Sequence, residues 1–275
     1  MSEASKSLSQ SKSKSIASIL VGGVGGKVAS KISELGSYFL YLKEIAVWTF
    51  RPPFSMSLLV QQLEFIGNQS LNIIIISALS VGAAFGLQIG GIFAVFGAES
   101  MLGAATAKSL CQEMAPLVTL ILVTGRAGSS MTAELATMKV NEQVDAMEAM
   151  AVDPISYLVV PRVLSSMMII PLLTGIFIFV GVIGAYISGV LFYQVDEGLF
   201  LSKLKILVAP IDLWRGLLKS FAFSIVMSSL CCRYGLNASG GAKGVGKATT
   251  NSVVAVILAV LGLDVIFTYF QIVVG

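Results

Sequence analysis

Long apolar stretches, broken by short polar ones, run through most of this chain. No Asp, Glu, Lys or Arg occurs in the 34 residues between Glu64 and Glu99. As one helix that run would be roughly 50 Å long, against a bilayer hydrocarbon core of about 30 Å. It is either a long, tilted span or one that breaks near its glycines. Further apolar runs predict a second span over about 108–124, a third over 163–192, a fourth over 215–232 and a fifth over 252–274. The stretch from Tyr193 to Trp214 reads as a polar-apolar loop. Gly82, Gly86 and Gly90 on the first span, and Gly181, Ala185 and Gly189 on the third, place small residues at every fourth position. That spacing lets membrane helices approach closely, although simple tolerance of glycine in a span accounts for it equally well.

The longest polar segment within this pattern is Gly125 to Arg162. Ala133, Ala136, Val140, Val144, Met147 and Ala151 recur at the spacing of one helix face. Glu134, Asn141, Asp145 and Glu148 fall on another face. Asn141 is positioned to cap a second short helix, with Glu142 in its first turn. Asp153-Pro154 ends the run, because a residue before proline is pushed out of the α region. An amphipathic helix, or a pair, is thus expected between spans two and three. A helix lying on lipid carries Lys and Arg on its polar face. This one is acidic there, which favours docking to a partner.

Before the spans, residues 1–15 are rich in Ser and Lys and read as a disordered basic tail. Ile16–Gly26 is apolar but lacks a small-x-small cleavage site after it, against a signal peptide. Val28, Ile32, Leu35, Phe39 and Leu42 keep helical spacing up to Trp48 and the Pro52-Pro53 break. Residues 16–51 therefore read as an interfacial helical segment with an aromatic anchor.

Composition agrees with a membrane protein: 56% hydrophobic, 12% charged, mean hydropathy +0.88. The fold class is an all-α integral membrane protein with an N-terminal interfacial helix, five transmembrane helices and a cytosolic helix between spans two and three. Charge orients it. If the N-terminus is cytosolic, 13 of the 18 basic residues lie on the inner side, and only Lys108, Lys203, Lys205, Arg215 and Lys219 do not. That asymmetry predicts N-in and C-out. A net charge of +3 gives no support to nucleic-acid binding, and the absence of His removes His-based triads and the commonest zinc ligand. Cys111, Cys231 and Cys232 lack metal-ligand spacing and read as free thiols in apolar surroundings.

Gly241–Ala248, GAKGVGKA, nearly spells a phosphate-binding loop. Ala248 stands where Ser or Thr should hold magnesium, and spans rather than an α/β sheet flank it. It reads as a flexible cytosolic loop. The informative polar groups are those at membrane depth: Glu113 beside Gln112, Lys219, and Asp264. Ionisable groups there need a cavity or a partner. The alternatives are a structural pair or, for Lys219, snorkelling to the headgroups. No catalytic residues, metal ligands or nucleotide-binding domain are recognisable, so the chain is not expected to be an enzyme or to hold a cofactor of its own. Glu113, Lys219 and Asp264 also suit an ion-coupled secondary transporter, but five spans give no obvious inverted repeat.

The segment GRAGSSMTAELATMKVNEQVDAMEAMAVDPISYLVVPR closely resembles the signature of the MlaE/YrbE permeases, membrane subunits of Mce-type ABC lipid transporters. The similarity continues through GLQ at Gly86–Gln88, ATTNSVV at Ala248–Val254 and AVLGLD at Ala259–Asp264. It runs from about Phe50 to the C-terminus and implies a permease domain over residues 52–275. It implies a homodimer in the bacterial inner membrane, with two cytosolic ATPase subunits that bind the ATP, a hexameric periplasmic Mce-domain protein and, in some systems, a STAS-domain protein. The cargo implied is phospholipid, moved between the inner membrane and the Mce partner in support of outer-membrane lipid asymmetry. Import of sterol-like or other hydrophobic lipids is the alternative within the family. Glu134, Lys139, Glu142, Asp145 and Glu148 would then couple to the ATPase. Ile92, Phe93 and Phe96 would line an outward-opening lipid pocket, with Glu113 and Lys219 near its mouth. Gln112 stands where the family often has Arg, which weakens any basic grip on phosphate beside Glu113.

Overall fold

The computed structural model describes residues 33, 35–50 and 56–274. The Ser/Lys tail, the Ile16–Gly26 stretch, Val28, Ile32 and Pro52-Pro53 lie outside the described residues. A first helix, α1, covers 35–49 and belongs to a unit separate from residues 53–275. It turns Leu35, Phe39 and Leu40 outward.

The second unit has helices joined by short turns and no strand among its described residues, and five of its helices are long and apolar enough to cross a membrane. The chain is thus an all-α membrane protein. α2 (Met56–Ala94) is one unbroken helix of 39 residues, which settles the alternative left open by its glycines in favour of a long span. α3 (Glu99–Val140) is a continuous helical run interrupted by π turns at Leu110–Met114 and Thr124–Gly128. α4 (Gln143–Ala149) is short, and α5 runs over Ile155–Tyr193. α6 (Glu197–Leu207), α7 (Pro210–Leu236) and α8 (Gly241–Val274) complete the chain.

α2 and α5 pack along much of their length. The two small-residue stripes face each other inside one chain: a Cβ on Gly82 would overlap the Gly181 carbonyl oxygen. Only glycine permits backbone-to-backbone contact of this kind. The core between these helices and α3, α7 and α8 includes Ile74, Leu120, Phe177, Phe223 and Val256.

Four expectations change. First, the polar helix after span two is not separate. α3 carries on through it, because Met131, Thr132, Leu135 and Ala136 are buried. Second, Asn141 ends α3 rather than capping α4. The chain turns through Glu142 in the left-handed region (φ 59°), and the Glu142 carbonyl accepts from the Ala146 amide at 2.9 Å. Third, the glycine-rich Gly241–Ala248 segment is the start of α8, not a loop. Ala248 and Val245 pack on Ala136 and Ala238, and this packing overrides the weak helix propensity of glycine. The expected loop after span three likewise holds α6. Asp196 caps it by accepting from the Leu199 amide at 2.9 Å, and Phe200 anchors it edge-on against Tyr186.

Candidate functional site

Glu113, Lys219 and Asp264 come from three different spans and meet. Lys219 Nζ lies 2.7 Å from Glu113 Oε2 and 2.7 Å from Asp264 Oδ1. It also donates to Thr268 Oγ1 at 3.0 Å and to the Gln112 carbonyl at 3.3 Å. Thr268 Oγ1 in turn donates to Glu113 Oε1, at 2.8 Å. Local sequence explains the arrangement. Glu113 sits in the first π turn of α3, a feature that occurs often at functional sites. Pro116 has no N–H, so the Gln112 carbonyl loses its usual helical donor and is free for Lys219. Gly216 lets α7 come against this turn: a Cβ there would overlap the Cys111 carbonyl oxygen.

The Lys219 side chain is fully buried, while Asp264 is 19% and Glu113 32% exposed. Snorkelling is thereby excluded. Three ammonium hydrogens serve four acceptors, which leaves Asp264 Oδ1 in ion contact without a directed hydrogen bond. Two carboxylates surround one cation, and the carboxylates form the outer edge. The cluster ties three spans together and presents acid, not ammonium, to whatever lies beside it. Gln112 does not reach the cluster with its side chain. Its Nε2 donates to Asp212 Oδ1 at 2.9 Å, and Asp212 Oδ2 accepts from the Ala209 amide at 3.1 Å, bracing the start of α7.

The aromatic residues stand elsewhere. Ile92 and Phe93 are in the last turn of α2 and Phe96 is in the turn after it. Ile92 is 56% and Phe96 77% exposed in the single chain, and Phe93 is half-buried. An apolar groove of about 540 Å³ opens between α5 and α7, lined by Met168, Pro171, Leu172, Gly175, Ile176, Phe179 and Leu217. None of the five expected lipid-contacting residues lines it.

In the 125–162 segment, Lys139 pairs with Asp145, which ties α4 back to the end of α3. Glu134 pairs with Arg162 at 2.9 Å. Among the described residues Glu142 and Glu148 form no ion pair, and both are exposed. Asp153 Oδ1 accepts from the Ile155 amide at 2.8 Å and the Ser156 amide at 3.2 Å, which starts α5. Arg126, in the second π turn, reaches α2: it donates to the Phe65 carbonyl and Ser70 Oγ at 3.3 Å each and to Gln69, with its guanidinium over the Phe65 ring.

Sequence reasoning missed the roles of Thr268, Asp212 and Arg162. The signal for Thr268 was its place one helical turn after Asp264 in an apolar span. Among the described residues no group of His, Cys, Asp and Glu is arranged to hold a metal, and the three cysteines are free and buried.

Residues 59–270 match the protein family described as Permease MlaE. The chain is 37% identical over 201 residues to a probable ABC transporter permease protein of Synechocystis, covering 73% of this chain and 76% of that one. A probable ABC transporter permease protein of Rickettsia felis is 37% identical over 235 residues, covering 86% and 91%. The intermembrane phospholipid transport system permease protein MlaE of Haemophilus influenzae is 39% identical over 212 residues, covering 77% and 81%.

Proposed function

Because this chain belongs to the MlaE permease family, we propose that it is the membrane subunit of an ATP-driven transporter moving phospholipid between the inner membrane and a periplasmic Mce-domain partner. The observation that carries this reading is the family match across 59–270, which overlaps all five spans and takes in the segment between α3 and α5. The names of the Rickettsia and Haemophilus relatives supply the ABC mechanism and the phospholipid cargo. The ATPase is a separate subunit, and the functional unit is a homodimer with two ATPases below and an Mce hexamer above, joined in some systems by a STAS-domain protein.

In this reading the N-terminus is cytosolic and the C-terminus periplasmic. α4 and the turn before it, with the exposed acids Glu148 and Glu142, meet basic residues of the ATPase. Ile92, Phe93 and Phe96 stand on the opposite side of the membrane and contribute from each subunit to the lipid route. Glu113 supplies the acidic edge beside it. Lys219 contributes by holding Glu113 rather than by touching lipid, because its ammonium is enclosed.

The test is transfer of labelled phospholipid by the chain reconstituted in proteoliposomes with its ATPase and Mce partners. Transfer should require ATP and stop when the ATPase nucleotide site is inactivated. Movement driven by an ion gradient without the ATPase would replace this reading with a secondary transporter. A sterol co-purifying in place of phospholipid would replace the cargo.

A further inference from the structure

The coupling segment is fastened to the spans unevenly. On one side, Thr132 Oγ1 of α3 contacts the Cys231 carbonyl of α7 at 3.1 Å and Ser252 Oγ of α8 at 2.9 Å, deep in buried packing. On the other side, packing between residues 129–140 and α5 is slight. What joins them there is the Glu134–Arg162 ion pair at 2.9 Å. Arg162 is 4% exposed and also donates to the Leu158 carbonyl at 2.7 Å, inside the π turn that opens α5. Between these stems hangs α4. Glu142 (φ 59°) lies immediately before it and Ala151 (φ 60°) just beyond its end, both in the left-handed region. Non-glycine residues hold that conformation only where surrounding structure enforces it.

We propose that Arg162 is a positioning residue for coupling: its ion pair with Glu134 closes the neck of the 141–154 segment, so that a displacement of α4 moves α3 and α5 together. This rests on the coupling role proposed above for that segment. The pair suits the task because its two ends differ. Glu134 is half-exposed, whereas Arg162 is enclosed and has no other carboxylate partner among the described residues. Opening the pair leaves a buried cation unpaired, so the closed arrangement is strongly preferred.

The test uses Glu134→Gln, which keeps the shape of the side chain, and the exchanged pair Glu134→Arg with Arg162→Glu. Hydrogen exchange is measured on the full chain in lipid nanodiscs. Lipid moved per ATP is measured in the reconstituted complex. In Glu134→Gln, exchange should rise within 141–159 and not elsewhere. Lipid moved per ATP should fall by about tenfold, within the range that positions touching neither ligand can produce, while the ATPase stays bound. The exchanged pair should recover part of that loss. The proposal is overturned if exchange in 141–159 is unchanged, if it rises along the whole chain, or if the ratio keeps its wild-type value. If the wild-type complex moves no lipid, the transport reading fails, and the exchange measurement by itself decides whether Glu134 holds the neck.

Discussion

Lys219 Nζ lies 2.7 Å from Asp264 Oδ1, joining α7 to the C-terminal half of α8 in the membrane interior. Beside that contact, Phe267 of α8 meets Phe223 of α7 edge-on at 6.0 Å between ring centroids. Charge and aromatic packing thus fasten the same stretch of α8, which otherwise turns Val265, Ile266 and Tyr269 outward.

The cation and its two acids should therefore respond differently to substitution. Lys219→Met leaves Glu113 and Asp264 without a counter-charge at membrane depth and should cost about 3–5 kcal/mol. Glu113→Gln leaves one carboxylate on one ammonium and should cost about 1 kcal/mol, the worth of a hydrogen bond. Thermal unfolding in nanodiscs measures both. Equal losses would mean that Lys219 is not the centre of the cluster.

Gly82→Leu should prevent α2 from seating against α5, since the added side chain meets the Gly181 backbone rather than a side chain that can rotate away. Overpacking of a core costs about 1–3 kcal/mol, and a backbone obstacle places this site at the upper end. Ile76→Leu, on an outward-facing position of the same helix, is the control and should be silent. Yield of folded protein by size-exclusion chromatography separates the two.

Orientation is open to thiol labelling because Cys111, Cys231 and Cys232 are buried. A membrane-impermeant maleimide should label Ser202→Cys on α6 from outside in intact cells whose outer membrane has been opened. Ser239→Cys, between α7 and α8, should react only after the inner membrane is permeabilised. The reverse pattern would invert the N-in, C-out topology.

A photoreactive residue at Phe96 should capture labelled phospholipid in the assembled complex more strongly than one at Leu258, which is similarly exposed on α8. Equal capture would place the lipid route elsewhere, and the apolar groove beside Pro171 would become the first position to probe.

The sequence made Glu113, Lys219 and Asp264 conspicuous one at a time, because a charge amid apolar residues needs no structure to be noticed. Their meeting was not legible. It depends on which faces of three spans adjoin, and periodicity within one helix carries no such information. Pairing of the two small-residue stripes was readable as a tendency to close approach, but not as contact within one chain. Where local signals conflicted with packing, packing prevailed. Gly241, Gly244 and Gly246 suggested a loop, yet burial of Ala248 against Ala136 holds them in a helix. α6 went unread because its Asp196 cap and Phe200 anchor sit among lysines and exposed leucines.

The two π turns of α3 carry a consequence for chain length. A π turn accommodates one residue more than the α turn it replaces while the helix continues on either side. At Leu110–Met114 and again at Thr124–Gly128, α3 can therefore absorb a single-residue deletion that a regular helix would convert into a rotation of everything beyond it. Loss of one residue within 110–114 should leave Arg126 and Glu134 facing their present partners and forfeit only the local geometry that brings Glu113 to Lys219. The same loss in the uninterrupted stretch Ser129–Val140 should turn Lys139 and the attachment of α4 by about 100° around the axis. Tolerance to single-residue deletion along α3 should accordingly be confined to two short windows, and only the first of them adjoins the ion cluster.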